Sequence, residues 1–148
     1  MNPNSTTKEI AKSGVFKIVE MLNVGKNDVD ALIDVSMVLS KKYGDKSILT
    51  KSTIEKYFNR SGSISFIAIY QHEIIGYIIG IPIEKLSREP WARKDVNFGK
   101  SNTLYTYAFV IKERFFGNGY ARILKKVFLS NVQRQSSFQV YTEGYVLA

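Results

Sequence analysis

Leu104-Tyr105-Thr106-Tyr107-Ala108-Phe109-Val110-Ile111 followed by Lys112-Glu113-Arg114-Phe115-Phe116-Gly117-Asn118-Gly119-Tyr120-Ala121-Arg122-Ile123-Leu124 is the stretch that decides the fold. The first eight residues read as a strand, with Leu104/Thr106/Ala108/Val110 on one face and Tyr105/Tyr107/Phe109/Ile111 on the other. Both faces are largely apolar, which predicts a central strand covered on both sides. From Tyr120 to about Val132 the spacing of Tyr120, Ile123, Leu124, Val127 and Phe128 predicts a helix. Between them, Gly117 and Gly119 leave backbone uncovered by side chains. A helix start adds unpaired N–H groups and a positive dipole end. Strand, glycine turn and helix start together suit a phosphate or pyrophosphate.

Two better-known phosphate loops do not fit. No glycine pair has the P-loop spacing followed by Lys-Ser/Thr, and G-x-G-x-x-G fails because Arg122 stands at its third small position. What remains, G-x-G-x-A before Ile123-Leu124, resembles the acyl-CoA pyrophosphate loop of the GNAT superfamily of N-acyltransferases, written [RQ]-x-x-G-x-[GA]. Arg114-x-x-Gly117-x-Gly119 satisfies that pattern literally. The register with Gly119 and Ala121 as its small residues, and Phe116 replacing Arg/Gln, is preferred because it sets Ile111 at the strand end and Leu124 toward the sheet.

Working outward, the N-terminus opens on a polar run, Met1 to Thr7, and residues 1–14 are expected to form a flexible arm. Val15 to Leu22 reads as a strand rich in β-formers. Asp28 to Lys42 reads as a helix, with acids in the first turn, lysines in the last, and an apolar stripe of Val29, Leu32, Ile33 and Met37. Ser52-x-x-Glu55 is a capping box for a second helix. Ser63–Tyr70 and Glu73–Ile83, separated by Gln71-His72, predict a hairpin. Gly76 and Gly80 inside its second strand predict a bulge or a close backbone approach. Residues 84–101 form a long loop of the kind usually kept for a function. Phe138–Thr142 reads as a last strand, parallel to 103–111 through the helical crossover.

The order β-α-α-β-β-β-α-β resembles the GNAT fold over roughly residues 15–142. The expected class is therefore α+β: a mixed, mostly antiparallel sheet with a parallel, splayed central strand pair and flanking helices in three layers. Residues 15–148 are expected to be one domain with an abbreviated C-terminal part, because family members usually continue with a helix and two strands. An uncovered last strand would favour pairing with a second copy as a homodimer.

Composition bounds the alternatives. The chain has 148 residues, 45% of them hydrophobic, enough for one domain with a core. No apolar run is long enough to span a bilayer as a helix, and the N-terminus lacks an apolar signal core. There is no cysteine, so disulfides, thiolate metal sites and a cysteine nucleophile are excluded, in keeping with a cytoplasmic protein. The net charge of +8 favours anionic partners, CoA or nucleic acid among them. The cations are dispersed and no nucleic-acid motif is present, which disfavours nucleic acid.

The resemblance implies acetyl transfer from acetyl-CoA to a primary amine of a small molecule or of a peptide or protein, by direct attack and with no metal. It implies that backbone N–H groups of Phe109, Val110 and Ile111 serve the thioester, and that Phe116, Gly117, Asn118, Gly119, Tyr120, Ala121 and Arg122 hold the pyrophosphate, with Arg122 or Lys112 adding charge. The strand 103–111 has no carboxylate where many relatives carry their base. Glu73, Tyr107, Tyr141 and Tyr145 are therefore the candidate acid and base residues, with His72 and Glu113 less favoured. The link 43–50 and the loop 84–101 are expected to shape the acceptor site. A non-catalytic acyl-CoA-binding module is the competing reading.

Overall fold

The computed structural model describes residues 1–136 and 139–141, with 135, 136 and 139–141 described by backbone alone. Six strands form one sheet in sequence order: β1 (Thr6–Ser13), β2 (Phe16–Asn23), β3 (Ile64–Tyr70), β4 (Glu73–Pro82), β5 (Thr103–Ile111) and β6 (Gln139–Tyr141). The first five pair antiparallel. β6 runs parallel to β5 over Thr103↔Gln139, Leu104↔Val140 and Tyr105↔Tyr141. The expected parallel neighbours are thus present for three residues, while the splaying expected beyond them would involve positions outside the described residues.

Helices cover both faces. On one lie α1 (Val29–Tyr43), α2 (Lys51–Tyr57) and the single turn α3 (Pro90–Arg93); on the other lies α4 (Tyr120–Ser136). The α1/α2 side buries Leu32, Val35, Ile54 and Phe58 against Tyr77, Ile79, Ile81 and Val110. The α4 side buries Leu124, Phe128 and Val132 against Phe66, Ile75, Ile78 and Leu104. Those three α4 residues follow the i, i+4, i+8 spacing that puts side chains on one helix face. Each fully buried aliphatic or aromatic side chain contributes about 1.5–3 kcal/mol, so the two layers, not local propensity, hold the sheet.

Several expectations need correcting. The arm expected over residues 1–14 instead contains β1, whose register with β2 is interrupted by bulges. The α1 stripe is shifted: Leu32, Val35 and Ser36 are buried, whereas Met37 faces solvent. α2 is capped by Thr50 with Thr53, not by Ser52 with Glu55. Ile123, placed by its spacing on the buried face of α4, is exposed. The hairpin at Gln71-His72 is as expected: both residues have positive φ, +47° and +70°, the backbone of a tight two-residue turn whose twist matches its strands.

Candidate active site

The glycine loop and a deep cleft lie against the same strand, β5. Lys112 N–H donates to the Ile75 carbonyl at 2.8 Å. Strand alternation then directs the N–H of Val110 toward β4, and those of Phe109 and Ile111 toward the opposite edge. Among the described residues that edge is paired with β6 only as far as Tyr105. Of the three backbone groups expected to serve a thioester, Phe109 and Ile111 are thus aimed away from β4, and Val110 is committed to it.

Beyond Ile111 the chain makes a 3-10 turn, Glu113–Phe115, and reaches the glycines. Gly117 and Gly119 have φ of +82° and +79°, and a Cβ built on either would meet nothing within 4 Å. The first hydrogen bond of α4 runs from Ile123 N–H to the Gly119 carbonyl at 3.1 Å. Tyr120, Ala121 and Arg122 therefore supply first-turn N–H groups with no intrahelical acceptor. Phe116, Asn118, Ala121 and Arg122 are all exposed around this turn. The Tyr120 ring is not part of that open surface: it stacks on Phe16 at 4.4 Å and contacts Tyr70 and Phe115, which fixes the helix start on the sheet.

A charged hub holds the strand-to-loop junction. Lys112 bridges Asp34 of α1 at 2.7 Å and Glu73 of β4 at 2.9 Å. Arg114 also pairs with Glu73, and Lys41 of α1 with Glu113. Burial pulls the Lys112 pKa down, but hydrogen bonds to Asp34 and Glu73 outweigh it and leave the ammonium above its usual value. The Lys112 hydrogen bond, then that of Arg114, holds the Glu73 carboxyl below its usual range against a desolvation that opposes them. Glu73 is thus tied into the strand-to-loop junction and is not among the cleft-lining residues. Of the two cations considered for phosphate charge, Lys112 is thus occupied and Arg122 lies open, on a shallow groove along α4 with Lys125 and Lys126.

The cleft encloses about 520 Å³ on the α1/α2 face of β4 and β5. Its shape starts with a bulge. Ala108 pairs with Ile79 and Thr106 with Gly80, leaving Tyr107 as an extra residue in β5. A bulge breaks the strict alternation of faces, so Tyr107 and Ala108 both line the cleft. Tyr107 stacks on Tyr57 of α2 at 4.3 Å, and the Tyr105 ring meets Trp91 at 5.0 Å, tilted by 49°. Burial first, then a hydrogen bond with Tyr57, raises the Tyr107 pKa far above the usual phenol value. It remains a neutral O–H and cannot act as a base near neutral pH. Tyr77 is also fully buried, and its Oη, which desolvation alone keeps protonated, has no hydrogen-bond partner.

The walls are the two segments expected to shape an acceptor site. Buried Ser36 receives Leu49 N–H at 2.8 Å and donates to the Ile33 carbonyl, fixing the link between α1 and α2. Glu84 accepts from Gly99 N–H at 2.9 Å and so closes the base of the lobe that follows β4. That lobe carries Glu89, among the described residues the only carboxylate lining the cleft, close enough to Tyr107 for its charge to act on the phenol. Sequence reading missed Glu89; an acid just before Pro90-Trp91 in a long loop was its only signal. His72 sits exposed at the hairpin turn and is not among the cleft-lining residues. For Tyr141 only the β6 backbone is described, and Tyr145 lies outside the described residues. Among the described residues no cluster of three or more metal-ligating side chains occurs, and no helix is long and apolar enough to cross a membrane.

No family model matches the chain, and no curated protein matches its sequence. Solved structures do match its fold. An aminoglycoside acetyltransferase from an uncultured soil metagenomic sample superposes with a TM-score of 0.62 at 15% identity, covering 90% of this chain and 80% of that one. The ribosomal-protein-alanine N-acetyltransferase of Brucella melitensis biovar Abortus 2308 gives 0.60 at 11% identity, covering 90% and 82%. An aminoglycoside N-acetyltransferase solved in complex with CoA gives 0.59 at 15% identity, covering 90% and 81%. At such identities the likeness is one of fold, and the fold of this chain is that of the GNAT acetyltransferases.

Proposed function

We propose that this chain transfers an acetyl group from acetyl-CoA to a primary amine bound in the cleft. The observation that carries the reading is that β5 serves two sites at once. Its far edge leads into the open glycine turn and the start of α4, and its bulge at Tyr107 opens an aromatic cleft beside the same backbone. The empty space around Gly117 and Gly119, with three first-turn N–H groups of α4, fits a pyrophosphate. One of the neighbours in fold was solved with CoA, which supports the assignment.

When bound, acetyl-CoA supplies the acetyl group as a thioester. The residues then divide the work. Phe116 through Arg122 hold the pyrophosphate, with Arg122 as the charged side chain. The Phe109 or Ile111 N–H donates to the thioester carbonyl, where negative charge develops. Glu89 accepts a proton from the ammonium, directly or through water, so that the neutral amine can attack. Tyr107 and Tyr57 orient the acceptor by their stacked rings. As the N–C bond forms and the C–S bond breaks, the attacking nitrogen gives up a second proton, which reaches the departing thiolate through solvent, so that the products are the amide and free CoA thiol.

Thiol release on mixing protein, acetyl-CoA and a panel of amines tests this. We expect turnover with at least one amine, reduced about 10²-fold or more in kcat by Glu89→Gln. Saturable acetyl-CoA binding with no turnover for any amine would favour a non-catalytic acyl-CoA-binding module. Unchanged turnover in the variant would remove Glu89 from the role of base.

A further inference from the structure

The rim of the cleft has a charge pattern that the acetyl-transfer reading does not require. Among the described residues five cationic side chains line it, Lys46, Lys56, Arg60, Lys85 and Arg88, against the single carboxylate Glu89. The whole chain has 21 cations to 13 acids, so the cleft is enriched well beyond the general basicity of the molecule. All five are exposed. None takes part in an ion pair among the described residues. Three cations outside the cleft, Lys41, Lys112 and Arg114, each reach a carboxylate.

The five come from three separate elements. Lys46 belongs to the link after α1, Lys56 and Arg60 to α2 and the turn beyond it, and Lys85 and Arg88 to the lobe after β4. They therefore converge on one concavity instead of following one helix face. Like charges around a low-dielectric hollow repel one another and focus a positive potential into it. An anionic guest relieves that repulsion, and a polycation adds to it. The cleft floor supplies a second polar feature, the buried and unpartnered Tyr77 Oη, which can donate to an acceptor oxygen.

We propose that the cleft selects a primary amine that also carries anionic groups, carboxylate or phosphate, with the five cations holding those groups and Glu89 facing the amine. The word amine rests on the acetyl-transfer reading; the preference for anions does not. The structure assigns the opposite charge preference to the one a polycationic aminoglycoside would need.

The test uses the full chain and two readouts. Trp91 is the only tryptophan and lines the cleft, so its fluorescence reports occupancy without any turnover. The probes are the dipeptide Asp-Glu against Asn-Gln, glucosamine 6-phosphate against glucosamine, and kanamycin as a polycation. The first two pairs separate carboxylate from phosphate. We expect at least one anionic probe to quench saturably, about tenfold or more tighter than its neutral counterpart, with a preference that falls as salt rises. Lys56→Gln/Arg60→Gln should collapse that ratio, and Lys46→Gln/Arg88→Gln, on other elements, should do the same. Because these side chains are exposed and take part in no ion pair among the described residues, the variants should melt close to the parent protein. Thiol release with the same panel should follow the same order. A neutral probe or kanamycin binding as tightly as the anionic ones would overturn the proposal, as would no quenching by any anionic probe. If acetyl-CoA neither binds nor turns over, the acetyl-transfer reading fails while the fluorescence result still decides the anion preference.

Discussion

Gly76 and Gly80 of β4 and Gly117 and Gly119 before α4 put the same residue to opposite uses. A Cβ at Gly80 would fall 2.4 Å from Leu104 Cδ2 and 2.8 Å from Phe128 Cζ; at Gly76 it would fall 2.6 Å from the Val110 carbonyl oxygen. These two let β5 and α4 close onto β4. Gly117 and Gly119 face open space, and their need for glycine lies in positive φ alone. The first pair is spent on packing within the protein. The second pair keeps backbone clear where the protein itself has nothing to pack, which is what an approaching pyrophosphate requires.

Substitutions can pull the two uses apart. Gly80→Ala is expected to have the larger effect on stability, about 1–3 kcal/mol by overpacking, read as a fall in Tm. Once folded, it should bind acetyl-CoA as before. Gly119→Ala should cost about 1–2 kcal/mol of stability, from the φ that an L side chain resists. Its loss of acetyl-CoA affinity should exceed that. If Gly119→Ala lowered Tm but left affinity intact, the loop glycine would be a turn residue and nothing more.

The smallest expected effect belongs to the hub beneath the loop. The Glu73 carboxyl is held below its ordinary value of 4.5 by Lys112 and Arg114. A lowered folded-state pKa means that the stabilisation is present above the unfolded value and is lost as pH falls through the folded one. Glu73 is partly exposed, so screening keeps the contribution to no more than about 1 kcal/mol. Thermal melts of Glu73→Gln should lie below the parent at neutral pH and converge with it in acid. Convergence absent, or a gap that widens in acid, would contradict the assigned ion pair.

Much of this architecture was legible from residue patterns. Strand 103–111 was bounded correctly because both its faces are apolar and Gly99 and Lys112 flank it. The glycine turn and the start of α4 at Tyr120 followed from composition at a strand–helix junction. β1 was not legible: Thr6 to Ser13 is mostly polar, and its pairing with β2 depends on the edge that β2 offers. The cleft was only half visible. Its walls could be placed, but the bulge that turns Tyr107 and Ala108 to one side is a property of the β4·β5 register. The ties of Glu73 to Lys112 and Arg114 were not legible either, because these residues meet only through the fold.

Calorimetric titration of acetyl-CoA into the parent chain and into Gly119→Asp tests the central claim most directly. The account predicts saturable binding to the parent, with affinity lost in the variant by about 100-fold or more, since a carboxylate at the loop would repel the pyrophosphate it should cradle. Equal affinity in both proteins, or no binding by the parent, would contradict the placement of acetyl-CoA on this loop.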